Sequence, residues 1–294
     1  MKKFLDICQF SLVLAGLMIC GLFLTSVLSV IPAEGLTLQW IIFSAQNILA
    51  FMLPAILAWK ICFKQNPMSG IKADICPSAK MIGLALAIYA VGIPALNQIV
   101  YWNQEMHLPQ ALAPFEEWCR NLERLAEEQT EGILSVTSIG STLINILVVG
   151  VLTGIGEEFF FRGALQGMLV RCKVNHHVAT WTAAAVFSFL HFQFFGFVPR
   201  LLLGAFFGYL FWWSGSIWVN SLAHALNNSI VIVSAWCINK GYLSEEFDMA
   251  GVATDSFPVV ALLSACAVAV IIYLYLKSDK HQSTTANNAT ESIR

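Results

Sequence analysis

Three ionisable residues stand inside an otherwise apolar stretch, Gly154-Ile155-Gly156-Glu157-Glu158-Phe159-Phe160-Phe161-Arg162-Gly163. A charge at membrane depth costs from ~2.5 to more than ~10 kcal/mol on different scales, so such groups usually face a polar interior and carry function. Glu158 and Arg162 are spaced i, i+4, one helical turn apart on one face, and can neutralise each other. Glu157 points about 100° away and has no basic residue within a turn of its own helix, so another helix must supply its partner. Two further polar clusters interrupt apolar runs: Phe187-Ser188-Phe189-Leu190-His191 and His224-Ala225-Leu226-Asn227-Asn228. His224 and Asn228 share a helical face. A carboxylate, two imidazoles and an amide can together activate water and hold an oxyanion, and peptide-bond hydrolysis suits that set best. Glu157, His191 and His224 could equally hold zinc, so the residues leave metal-free and zinc chemistry open. Other intramembrane protease patterns are missing from the sequence: there is no HExxH helix, no GxSG serine motif with a partnering histidine and no pair of aspartates within the apolar runs.

The elements that must position these residues are membrane helices. Of 294 residues, 57% are hydrophobic and 12% charged, with mean hydropathy +0.70 and formal net charge −2. A soluble chain carries about 25% charged residues. The composition therefore predicts an all-α polytopic membrane bundle, and the polar clusters on separate runs put its active site in a central intramembrane cavity. Without a basic stripe or aromatic-basic interleaving, nucleic-acid binding is excluded. Eight cysteines are scattered singly without CxxC or metal-ligand spacing, and read as small packing residues.

Apolar runs predict eight spans, near residues 7–31, 40–63, 81–101, 133–170, 178–192, 200–213, 216–238 and 257–276. The first is too long for a signal-peptide core and is expected to remain as a span. Pro54 should kink the second, where Gln46 and Asn47 must face protein. Residues 1–101 form an N-terminal three-span unit. Residues 102–132 break the pattern with seven glutamates against Arg120 and Arg124. They read as an extramembrane amphipathic helix with Phe115, Trp118, Leu122 and Leu125 along one face. Residues 133–238 form the catalytic bundle, 239–276 a loop and last span, and 277–294 a polar tail expected to be disordered.

Eight spans satisfy the positive-inside rule when both termini are cytoplasmic, with the acidic segments 102–131 and 239–255 outside. A plasma-membrane protein in contact with lipid is the expectation. Gly150/Gly154, Gly163/Gly167 and Gly204/Gly208 have the spacing that lets membrane helices approach closely. At ~1.5 Å per residue from their basic ends, Glu157, His191, His224 and Asn228 all fall roughly 12–21 Å deep, near mid-membrane.

In order and spacing, EExxxR (Glu157, Glu158, Arg162), FxxxH (Phe187, His191) and HxxxN (His224, Asn228) resemble the three motifs of the CPBP family. That family groups CAAX prenyl endopeptidases with bacteriocin-processing and bacteriocin-immunity (Abi) proteins. The resemblance covers about residues 147–230, including Pro199-Arg200 to Gly208 and Gly215-Ser216-Ile217-Trp218. It implies that Glu157 with His191 activates the water, that His224 and Asn228 bind the oxyanion, and that Glu158 and Arg162 brace the site. The implied activity is an intramembrane endopeptidase acting on a membrane-associated or lipidated protein or peptide. Alternatives are a non-proteolytic immunity or scaffold protein of the same fold, and a transporter with a midplane proton relay. The family has been described as both metallo- and glutamate-dependent. No cofactor is expected, because Asn228 one turn from His224 serves better as an oxyanion donor than as a ligand; zinc on Glu157, His191 and His224 is the alternative.

Overall fold

The computed structural model describes residues 2–28, 35–244, 247, 249–254 and 256–291, with side chains up to residue 278. The expected end of the first span near residue 31, and positions 245, 246, 248 and 255 of the second acidic segment, lie outside the described residues. Among the described residues every regular element is a helix. Seven helices are long and apolar enough to cross a membrane: α1 (Lys2–Leu28), α2 (Leu36–Phe63), α3 (Ala79–Gln104), α5 (Ile139–Arg171), α7 (Phe197–Ser214, preceded by the 3-10 turn Phe194–Gly196), α8 (Ile217–Asn239) and the first part of α9 (Val259–Glu291). Helix α4 (Ala113–Leu134) lies between α3 and α5, and α6 (His176–Phe189) between α5 and α7.

Helix α6 corrects the expected count of eight. Its 14 residues rise only ~21 Å, short of the ~30 Å hydrocarbon core. The chain leaves the helix at Leu190 and turns through Phe192, whose φ of 54° is left-handed. The direction of travel nevertheless survives. Ser188 donates to the Phe197 carbonyl, Gly204 abuts Ala184, and His177 meets Tyr209 at 2.8 Å, so α6 and α7 run antiparallel. Their connecting loop reaches the level of α4, where Asn103 Oδ1 accepts from the Val198 N–H and Glu123 Oε2 from the Phe195 N–H. The stretch between α5 and α7 is thus part helix and part irregular chain, which a membrane tolerates where protein surrounds it.

Proline breaks are repaired locally. In α3, Ser264 of α9 inserts between the partners next to Pro94: its Oγ donates to the Val91 carbonyl and accepts from the Ala95 N–H. In α2 a π-helical segment, Asn47–Met52, ends just before Pro54. Asn47 is buried as predicted and donates to Phe43 O and Thr153 Oγ1. Helix α5 carries two π segments, Ile146–Leu152 and Phe159–Gln166, flanking the Glu157-Glu158 pair. Such segments often mark functional sites.

Helix α4 buries Cys119 and Ile133, whereas Phe115, Trp118 and Leu125 of the predicted apolar face stay largely exposed. Phe115 and Trp118 stack together and both reach Phe194. Helix α9 runs on past Ser278 where composition predicted a disordered tail. Once a helix is nucleated in a span, each further residue adds a hydrogen bond at little cost.

Candidate active site

The site forms where α5 lies against α8. Gly154 permits the contact: a Cβ there would stand 2.7 Å from the Ala225 backbone nitrogen. At Gly150 it would stand 2.6 Å from Ser229 Oγ. One turn on from this seam, Glu157 and Glu158 face α8, whose polar residues Asn220, His224 and Asn228 recur every fourth position along one stripe.

Glu158 is fully buried and accepts three hydrogen bonds. Arg162 Nη1 donates to Oε1 at 2.6 Å, His224 Nδ1 to the same oxygen at 2.8 Å, and Asn220 Nδ2 to Oε2 at 2.6 Å. Arg162, also fully buried, donates through Nη2 to the Gly204 carbonyl at 2.8 Å. Its guanidinium lies 4.7 Å from the Phe187 ring and 5.5 Å from Phe207, an aromatic cage that compensates a desolvated cation. The expected i, i+4 pair is present, but as the hub of a network spanning α5, α7 and α8.

Glu157 takes the opposite orientation. It lines a cavity of about 190 Å³ together with Thr153, His191, Arg200, His224, Asn227 and Asn228. The partner that another helix had to supply is His224, whose Nε2 lies 3.7 Å from Glu157 Oε2. Because the Glu158 carboxylate only accepts, His224 Nδ1 carries a proton and Nε2 is the nitrogen turned to Glu157. The ring is fixed by stacking on Phe207, centroids 4.7 Å apart. His191 is oriented the same way: its Nδ1–H donates to the Phe187 carbonyl at 2.7 Å, leaving Nε2 as the free nitrogen. Asn228 Nδ2 reaches Val149 O at 3.4 Å, and its Oδ1 accepts from Asn227.

The structure therefore gathers Glu157, His191, His224 and Asn228 around one cavity and sets Glu158 and Arg162 behind it. It differs from the expected pairing in one respect. The imidazole beside Glu157 is that of His224; His191 is hydrogen-bonded to its own helix instead. Among the described residues no three His, Cys, Asp or Glu side chains converge in metal-ligating geometry. As placed, Glu157, His191 and His224 do not fit a three-ligand zinc site.

Three contributors escaped the sequence reading. Asn220 could have been found, since it sits four residues before His224 on the same stripe. Thr153, one turn before Glu157, accepts from Asn47 of α2 and carried no signal by itself. Arg200 enters the cavity from the start of α7; Nη2 donates to Gln193 Oε1 at 2.7 Å, while Nη1 is buried without a hydrogen-bond partner.

Residues 139–230, which hold every one of these motif residues, match the family model described as type II CAAX prenyl endopeptidase Rce1-like. No curated protein and no solved structure matches the chain.

Proposed function

Because residues 139–230 match the Rce1-like type II CAAX prenyl endopeptidase family model, we propose that the chain is an intramembrane endopeptidase whose water is activated by Glu157. The observation that carries this reading is the division of labour between adjacent carboxylates. Glu158 has both oxygens occupied by strong donors, whereas Glu157 faces a polar cavity with two imidazole Nε2 atoms and an amide around it.

A water between Glu157 and His191 loses a proton to the Glu157 carboxylate as its oxygen attacks the peptide carbonyl carbon. Negative charge then develops on the carbonyl oxygen. Asn228 Nδ2 and a protonated His224 Nε2 are the donors proposed to face it. Since His224 Nδ1 already donates to Glu158, donation from Nε2 requires the imidazolium form. Collapse breaks the C–N bond, and the proton held by Glu157 passes to the leaving nitrogen. Arg200 adds positive charge to the wall and a free N–H at Nη1.

The substrate class inferred is a membrane-associated or lipidated protein or peptide whose scissile bond can enter the bilayer. The direct test compares membrane-protein termini in cells carrying wild type and Glu157→Ala. Termini produced only with wild type are expected; identical sets of termini would reject the protease reading and favour an immunity or scaffold role.

A further inference from the structure

A cavity of about 830 Å³ lies apart from the one around Glu157. It opens where the start of α1, the end of α2, the 64–78 loop and the ends of α5 and α7 meet. Lys2, Lys3, Lys72, Arg171 and Lys173 line it, against a single carboxylate, Asp6. Among the described residues none of the five cations forms an ion pair. A pocket holding five cations with so little counter-charge repels itself, so it is stabilised by an anion from outside the chain.

Two of the cations, Lys72 and Arg171, are held in place by their surroundings. The 64–78 loop is bound to α8: Trp218 Nε1 donates to Ala73 O at 2.8 Å, Ser216 Oγ to Ile75 O at 2.6 Å, and the Ile217 N–H to Lys72 O at 3.3 Å. Lys72 Nζ lies 4.9 Å from the centre of the Phe211 ring, and burial pushes its ammonium pKa down. Arg171 is held over Phe63 at 4.5 Å and donates Nη1 to Gln65 Oε1 at 3.0 Å, leaving other guanidinium donors for a ligand. Lys72 and Lys173 both hold left-handed backbone, φ 59° and 66°, where a non-glycine residue is disfavoured. Strain of this kind persists where surrounding structure enforces it, and ligand clamps are one such place.

The ends of four apolar spans border the pocket, and Trp59 and Trp212 line it. It therefore sits at the level where helices leave the hydrocarbon, the level of lipid headgroups. Basic pockets between helices at that level suit phosphate-bearing groups, and the volume is ample for a headgroup.

We propose that this pocket is a phosphate-group site that takes the headgroup of an anionic phospholipid or a free phosphate ion, tying α1, the 64–78 loop and the end of α5 together. The site is separate from the catalytic cavity and stands whether or not Glu157 is the base. The test uses the full-length purified protein, with thermal unfolding and native mass spectrometry as readouts. Phosphatidylglycerol micelles, phosphatidylcholine micelles and inorganic phosphate are the three probes. The pocket variant Lys3→Gln/Lys72→Gln/Lys173→Gln is compared with Lys60→Gln/Lys64→Gln/Lys80→Gln, which removes equal charge from lysines that do not line the pocket.

Saturable binding and stabilisation by phosphatidylglycerol, weakened at least about tenfold in the pocket variant and unchanged in the other, establish the site with lipid as its source. The same pattern with inorganic phosphate alone establishes a free-anion site. Equal weakening in both variants, equal response to phosphatidylcholine, or no response of the wild type to any probe overturns the proposal. Should the triple pocket variant fail to fold, Lys173→Glu at an exposed position must still weaken binding severalfold, and unchanged binding there overturns it equally.

Discussion

His224 donates its Nδ1–H to Glu158 across 2.8 Å, and that bond decides which nitrogen the ring presents to Glu157. Two neighbouring glutamates are thereby given different work by one imidazole. Glu158 sets the tautomer and the ring plane; Glu157 meets the nitrogen that remains. This is the logic by which a carboxylate orients an imidazole elsewhere, with the orienting acid kept out of the chemistry.

Removing one partner from the Glu158–Arg162 pair leaves an uncompensated charge at a site with no solvent exposure. Arg162→Met should destabilise by about 3–5 kcal/mol, read as a lowered unfolding temperature and poor extraction of folded protein. The exchanged double variant Glu158→Arg/Arg162→Glu should not recover, although the i, i+4 spacing alone suggests it would. His224 Nδ1 and Asn220 Nδ2 both aim donors at position 158, and an arginine there has nothing to accept them. Full recovery of folding and cleavage in the exchanged variant would show that the pair, and not the network, is what matters.

The contact between α5 and α8 predicts an effect at a residue with no side chain. In Gly154→Val the new Cβ meets backbone at 2.7 Å, which no rotamer relieves, so α8 must shift and carry His224 from Glu157. Cleavage is expected to fall by about two orders of magnitude, as misplacement on the scale of an ångström can cost that much. Gly16→Val, where a Cβ meets nothing within 4 Å, should leave activity and stability unchanged. Full activity in Gly154→Val disproves the close-contact account.

Much of this site was legible in the sequence because the membrane makes polarity rare: with 12% charged residues, each buried Glu, His or Asn stands out against its run. Helical spacing then placed Glu158 with Arg162 and His224 with Asn228. Which imidazole meets Glu157 was not legible, since it depends on how α5 and α8 pack and on the short α6 ending before His191. Helix α6 itself was misjudged because residues 178–192 are apolar enough for a span; only the left-handed turn at Phe192 shows where the helix stops. Arg200 and Thr153 were missed because packing between helices, and not spacing from the motif residues, brings them to the cavity.

The short α6 also sharpens the topology. If the α6–α7 hairpin returns to its starting side, the termini share a side, which the lysine and arginine distribution predicts to be the cytoplasmic one. In a cysteine-free background, single cysteines at Lys3, Lys72 and Asp279 should be protected from an impermeant reagent in intact cells, and one at Glu128 labelled. Protection of Glu128 together with labelling of Lys72 would invert the arrangement.

Glu116 at the start of α4 gives a pH signature outside the membrane. Its carboxylate accepts from the Leu108 N–H at 2.7 Å, meets His107 Nδ1 at 3.1 Å and accepts from Arg120 Nε at 3.0 Å. The backbone bond first, then those two side chains, hold its pKa down at about 2, against an ordinary 4.5. A depressed acid contributes stability above its unfolded pKa and loses it as pH falls toward the folded value. The 105–112 turn should therefore loosen between about pH 4.5 and 2, seen as faster exchange of the Leu108 amide. Glu116→Gln should show that fast exchange already at neutral pH, and a wild-type amide insensitive across this window contradicts the assignment.

The assignment of Glu157 as base separates from a metal role by experiment. Glu157→Gln keeps the volume and a hydrogen-bonding end but cannot take a proton, so turnover should fall by at least about a thousandfold, the scale of a lost general base with its oriented water. Folding should be spared, because Glu157 faces the cavity and takes none of the hydrogen bonds that Arg162, His224 and Asn220 make to Glu158. Asn228→Ala should lower turnover by about a hundredfold with little change in substrate affinity, the pattern of a donor that acts on the developing oxyanion. With no three ligating side chains converging among the described residues, purified enzyme is expected to keep cleaving a reporter peptide after exhaustive chelation. Loss of cleavage on chelation, restored by one equivalent of zinc and abolished equally in Glu157→Gln, His191→Ala and His224→Ala, would replace the general base with a metal-bound water held by those three residues.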